Sequence, residues 1–203
     1  MSHSAAHKVL KKDPKLAKII DHVGKFEIKT TRNYYESLVK AIITQQLAGS
    51  AAKAISNRFR SLYDRRFPRP IDVINTPDSK LRKTGLSRQK IKYIKELSKA
   101  IEEKKLKMRS LSKLSDEEIV EQLTQIKGIG RWTAEMFLMF SLGRMDVLPV
   151  GDLGLRKGVQ LLNSSSELPN ADEIEELAEK WRPYRTVATW YIWKSLKTFD
   201  TIG

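Results

Sequence analysis

Apolar residues recur along this chain at three- and four-residue steps. Leu38, Val39, Ile42, Ile43 and Leu47 make one stripe, Ala51, Ala52, Ile55, Phe59 and Leu62 the next, and Ile91, Ile94, Leu97 and Ile101 another. Such spacing gathers each set on one face of a helix. Ala48-Gly49-Ser50 breaks the first stripe from the second. Ser115 to Glu118 reads as a capping box opening a helix through Leu123, and Asn170 to Glu173 opens another. Pro183 stands where a first helical turn begins, ahead of Val187, Trp190, Tyr191 and Leu196. No alternating run reaches strand length. The punctuation falls between helices: Pro68 and Pro70, Pro77, Gly85, Gly128 and Gly130, Gly151 to Gly158, and Pro169. The pattern predicts an all-α protein of roughly ten helices, with no internal repeat.

At 203 residues the chain suits one domain, or two small lobes sharing a core. Its 38 Lys and Arg against 24 Asp and Glu give a net charge of +14. The excess is uneven: +5 over residues 1–50, +13 over 51–113 and −4 over 114–203. A polyanionic partner follows, with the middle third as its anchor. The absence of cysteine excludes disulfides, thiol catalysis and Cys-ligated zinc or iron–sulfur clusters. The three histidines, His3, His7 and His22, all lie near the N-terminus, which argues against a His-based triad or metal site. Carboxylate, Lys, Tyr and hydroxyl chemistry remain. With no apolar run of signal-peptide or membrane-span length, the expectation is a soluble intracellular protein.

The most informative stretch runs from Leu123 to Glu135. A helix ends near Ile126, turns through Gly128-Ile129-Gly130, and restarts into Trp132-Thr133-Ala134. Two glycines one residue apart let the backbone turn sharply and approach a partner with no Cβ in the way. The N–H groups at the new helix start lack intrahelical acceptors and can receive a phosphate oxygen. Ile129 would plug into the core and fix the turn. Lys127, Gly128, Ile129, Gly130, Arg131 and Thr133 are the candidate phosphate contacts. Taken alone, Gly-x-Gly could be an ordinary interhelical turn. With its flanking residues it resembles the helix-hairpin-helix element that grips a DNA backbone without reading sequence.

Downstream, Asp152 stands in a Gly-flanked segment before an amphipathic run. By itself it reads as an N-cap, or as a carboxylate held at a helix start inside a cleft. Hairpin, about twenty residues, then Pro149-x-x-Asp152-Leu153-x-Leu155-Arg156 resembles the helix-hairpin-helix DNA glycosylase superfamily. Further echoes single out its alkylbase branch, the 3-methyladenine DNA glycosylases: Ile43-Thr44-Gln45-Gln46-Leu47 with Ala51-Ala52, Gly85-Leu86-Ser87-x-x-Lys90, and Trp181 to Arg185 with Trp190 to Trp193. The resemblance covers about residues 35–198. It implies one glycosylase domain over 1–203, with the hairpin near 123–136. Segments 1–34 and 170–203 would form the second of two helical lobes, and the active site would lie in the cleft between them. It further implies that Asp152 is catalytic, that Trp132, Trp193 and Tyr191 line the base pocket, and that Gln46 and Leu47 fill the gap left by an extruded nucleotide. Backbone carbonyls of Thr124, Ile126 and Gly128 would hold a structural Na⁺ or K⁺, with no cofactor needed for chemistry. Gly151 departs from the branch, where an acidic residue often precedes the catalytic one.

Cleaving an N-glycosidic bond develops positive charge on the deoxyribose, which a carboxylate stabilises. The same group can orient or deprotonate the attacking water. A purine alkylated at N3 or N7 is already cationic, so it leaves without protonation and stacks well on aromatic faces. Bifunctional members of the superfamily carry a lysine where this chain has Trp132, so hydrolysis without strand cleavage is expected. The expectation is a monofunctional enzyme acting on damaged bases in double-stranded DNA, as a monomer and away from membranes. The alternatives are a non-catalytic helix-hairpin-helix DNA-binding module, or the same fold acting on deaminated or mismatched bases.

Overall fold

Helix capping accounts for most of the element boundaries. A computed structural model describes residues 3–47 and 49–199; Ala48, at the expected break, lies outside them. Among the described residues the order is α1 (His3–Leu10), α2 (Pro14–Val23), α3 (Tyr34–Thr44), α4 (Gly49–Ser61), α5 (Pro70–Asn75) and α6 (Asp78–Lys83). There follow α7 (Arg88–Glu102), α8 (Asp116–Thr124), α9 (Arg131–Phe137), α10 (Leu153–Asn163), α11 (Ala171–Ala178) and α12 (Arg185–Phe199). A π-helical turn, Leu138–Leu142, follows α9, and no strand occurs among the described residues. The fold is all-helical, as the periodicity predicts.

Both expected capping boxes form, at Ser115 with Glu118 and at Asn170 with Glu173. The count exceeds ten because prolines that read as breakers start helices instead. Pro70 opens α5 and Pro77 caps α6, positions where a missing N–H costs nothing. Pro183 departs from expectation, since α12 begins only at Arg185.

The chain divides into two compact units. One combines the start, up to Thr30, with everything from Leu138 onward; the other is Thr31–Phe137. The boundary expected at residue 170 therefore falls at 138, because α10 packs with α12 rather than with the hairpin helices. In the terminal unit, Leu10, Leu16, Ile20 and Phe26 bury against Leu155, Val159, Trp181, Tyr191 and Ile192. Gly158 lets α10 and α12 cross closely, for a Cβ there would lie 2.1 Å from Ile192 Cγ2. In the central unit the three stripes close a second core through Leu38, Ile42, Ile55, Phe59, Ile91 and Ile94.

Candidate active site and nucleic-acid interface

In the terminal unit Asp152 caps α10. Its Oδ1 accepts the Leu155 N–H at 2.7 Å and the Trp193 indole N–H at 2.7 Å. The capping bond fixes the carboxylate to the helix start, and the indole bond fixes it to α12, two donors on a group that stays half-buried. Gly154 permits this approach. A Cβ there would sit 3.0 Å from Asp152 Oδ1 and 3.1 Å from Trp193 Nε1. One face of Trp193 stacks on Phe140 of the π-helical turn, centroids 6.1 Å apart. The segment leading to Asp152 is pinned to the start of α12: Arg185 donates to Asp146 Oδ1 at 2.8 Å, and Thr186 accepts the Val147 N–H at 2.9 Å. Leu153, next after Asp152, is 53% exposed, an apolar side chain at the mouth of α10.

The other expected pocket residues part company. Trp132, in the central unit, is 49% exposed. Tyr191 does not line a pocket: it is fully buried in the core, its hydroxyl donating to Gly24 O and meeting His7 Nε2. Helical spacing placed Tyr191 on the core side of α12, with Trp190 packed edge-on against it and Phe26. Trp193, three residues past Trp190, turns instead to Asp152.

In the central unit the hairpin joins α8 to α9. Gly128 adopts φ +95° against the Tyr93 ring, where a Cβ would fall 2.2 Å from Cγ and Cδ2. Gly130 is exposed and a Cβ there would meet nothing within 4 Å. Only the first glycine is thus demanded by the fold. Ile129 is buried at 3% exposure, and Lys127 is exposed. Arg131 is not held ready for a phosphate: its guanidinium pairs bidentately with Glu117 of α8 at 3.0 Å and reaches Glu135, bracing the hairpin. Thr133 has a buried side chain, so only its backbone can face a ligand.

Gln46 lies at φ +54°, a left-handed turn that follows the end of α3, and Leu47 after it is 38% exposed. Gln45, Lys90 and Tyr93 adjoin the hairpin around an open cavity of about 440 Å³. None of the three was singled out as a site residue from the sequence, although Gln45 and Lys90 stood in quoted motifs. No cluster of His, Asp or Glu able to hold a metal occurs among the described residues. Of the three carbonyls expected to face a monovalent cation, Gly128 O accepts Gln45 Nε2–H and Ile126 O accepts the Ile129 N–H. Each carbonyl oxygen keeps a second lone pair beyond these bonds, so the donor set fits a monovalent cation.

The described residues thus hold a hairpin whose turn backbone is exposed and, apart from it in the chain, a half-buried carboxylate that caps a helix. Residues 39–183 match the family described as HhH-GPD superfamily base excision DNA repair protein. The chain belongs to this family. It is 37% identical to DNA-3-methyladenine glycosylase 1 of Schizosaccharomyces pombe, over 92% of this chain and 82% of that protein. Among solved structures, the Schizosaccharomyces pombe 3-methyladenine DNA glycosylase in complex with abasic DNA superposes with TM-score 0.82 at 36% identity, covering 95% of this chain and 97% of that one. DNA-3-methyladenine glycosidase from Bacillus halodurans gives 0.86 at 38% identity, over 95% and 89%. Within the HhH-GPD family, then, this chain sits among proteins of the alkylbase branch. No helix of the described residues is long and apolar enough to cross a membrane.

Proposed function

We propose that the protein is a monofunctional DNA glycosylase that removes alkylated purines of the 3-methyladenine and 7-methylguanine type from duplex DNA. The observation that carries this reading is Asp152, oriented at the start of α10 by the Leu155 and Trp193 N–H groups. The names of the similar proteins support the substrate class.

As the glycosidic bond lengthens, its electron pair goes to the cationic purine, which departs as a neutral base. The positive charge left on the sugar is stabilised by the Asp152 carboxylate. Water adds at the anomeric carbon and loses its proton, with Asp152 as acceptor. Free base and an intact abasic site result. Trp193 keeps one ring face on Phe140 and its N–H on Asp152, so it serves orientation as well as lining the pocket. Lys127 and the backbone N–H groups of the turn from Gly128 onward take the phosphates, and Gln46 with Leu47 fills the emptied stack. A structural Na⁺ or K⁺ at the carbonyls of Thr124, Ile126 and Gly128 would brace the turn and take no part in the chemistry. One copy of the chain carries every group used, so a monomer suffices, acting wherever the cell keeps its DNA.

Release of free base from methylated duplex DNA tests this. Asp152→Asn keeps an Oδ1 that still accepts both N–H groups but loses the charge. Excision should fall about a hundredfold or more while abasic-DNA binding persists. Near-normal turnover would refute the catalytic assignment, and a borohydride-trapped adduct abolished by replacing one lysine would refute the monofunctional one.

A further inference from the structure

At the end of α3 the last helical carbonyls need donors before the chain turns out through Gln46 and Leu47. Lys90, on α7, supplies them: its ammonium donates to Ile43 O and Gln45 O, both at 2.7 Å. Partial burial pushes the Lys90 pKa down from its ordinary value. The side chain of Gln45 then reaches across the unit, its amide donating to Gly128 O at 2.9 Å. Gly128 itself has nowhere to go, closed against Tyr93 and held at positive φ. Gln45 is thus gripped twice, by its carbonyl from α7 and by its amide from the hairpin.

We infer that Gln45, backed by Lys90, is a tie that holds the Gln46–Leu47 wedge in fixed register with the phosphate-gripping turn. Gln45 is therefore a positioning residue for nucleotide extrusion. The inference rests on the glycosylase reading for its reaction, but not for its geometry. A wedge and a clamp acting on one duplex must be spaced to it. A loop whose backbone already sits in a left-handed turn at Gln46 keeps that spacing only if its base is restrained. Untied, the wedge would have to be ordered during extrusion, the step that already opposes reaction. The cost should appear where a paired base must leave the stack and vanish where it is already out.

Gln45→Met keeps the length of the side chain and removes the donor, at a half-buried position where folding should survive. Single-turnover release of the same methylated purine would be compared in a fully paired duplex and in a single-base bulge. Excision from the paired site should slow about tenfold, that from the bulge less than about twofold, with an unchanged melting temperature. Equal loss on both substrates, or no loss on either, would overturn the tie. A second readout needs no chemistry. 2-Aminopurine beside an abasic site brightens when a side chain enters the stack. Wild-type protein should brighten it and Gln45→Met much less, at an equal dissociation constant. Equal brightening, or none with wild type, would overturn the tie. A Gln45-dependent signal from a protein that excises nothing would uphold the tie and refute the glycosylase reading.

Discussion

Asp152 is held by bonds that an asparagine could also accept, whereas the glycines of the hairpin are not interchangeable. Gly128 combines φ +95° with the Tyr93 ring at its Cα, so any side chain there strains the backbone and displaces the ring. Gly130 faces open space. Gly128→Ala should therefore cost stability, about 1–3 kcal/mol, and confound any binding measurement. Gly130→Ala should melt within a degree or two of wild type yet bind duplex DNA several-fold more weakly, because its methyl group would stand where the proposed phosphate contact lies. Calorimetry beside a binding titration separates the two. Full-strength binding by Gly130→Ala would reduce that position to a plain turn. Sequence reading could see both glycines and Asp152, since these sit in short patterns. It could not see Gly154, the Trp193–Asp152 bond or Gln45 on Gly128. Such contacts join residues 41 to 83 positions apart, and no local spacing encodes them.

Among the helices, α2 is buried through Leu16 and Ile20 and anchored at its start by one buried carboxylate. Asp13 caps it through the Lys15 N–H at 3.0 Å and accepts the Trp181 indole N–H at 3.0 Å, with the Lys180 ammonium also at 3.0 Å. Burial alone would raise the Asp13 pKa; the hydrogen bonds from Trp181 and Lys180 outweigh it and hold the carboxyl below its usual value. A group whose pKa is depressed on folding stabilises fully above the unfolded value and loses that contribution as pH falls through the folded one. Asn can cap and accept but carries no charge. Asp13→Asn should melt about 2–4 °C below wild type at pH 7, and the gap should close as the pH drops below about 4. An unchanged gap at pH 3 would show that the charge contributes nothing. The longer helices were legible because their apolar stripes span several turns. The six-residue α5 and α6 were not, as each is shorter than two turns and opens at a proline. Tyr191 was misread for a related reason: on α12, with aromatic residues on more than one side, periodicity does not tell a core ring from a pocket ring.

At the scale of the whole chain, the positive charge is concentrated in the central unit, +11 over residues 31–137 where wedge, α7 and hairpin lie, against +3 for the terminal unit that carries Asp152. Affinity for undamaged duplex should accordingly depend on salt and little on sequence. With Arg131 committed to Glu117, about four to five phosphates remain to be neutralised, giving a slope of log K against log salt of about −4. A nearly flat dependence would remove the basic middle third from the interface. The polyanionic partner was legible from charge alone, but the division of the chain was not, because it depends on α1 and α2 finding the far end. That arrangement has a consequence in time. Asp13 waits for Trp181 and His7 for Tyr191, 168 and 184 residues later. At about 5–20 residues per second of synthesis, the first two helices emerge roughly ten to thirty seconds before Trp181 and Tyr191 exist to cover them. Once Phe137 is made, and until Trp181 and Tyr191 follow, the central segment is complete and can begin to assemble its grip on nucleic acid, while the Asp152 carboxylate still lacks its Trp193 partner. A nascent or prematurely ended chain of this protein would hold DNA before it could cut a base from it.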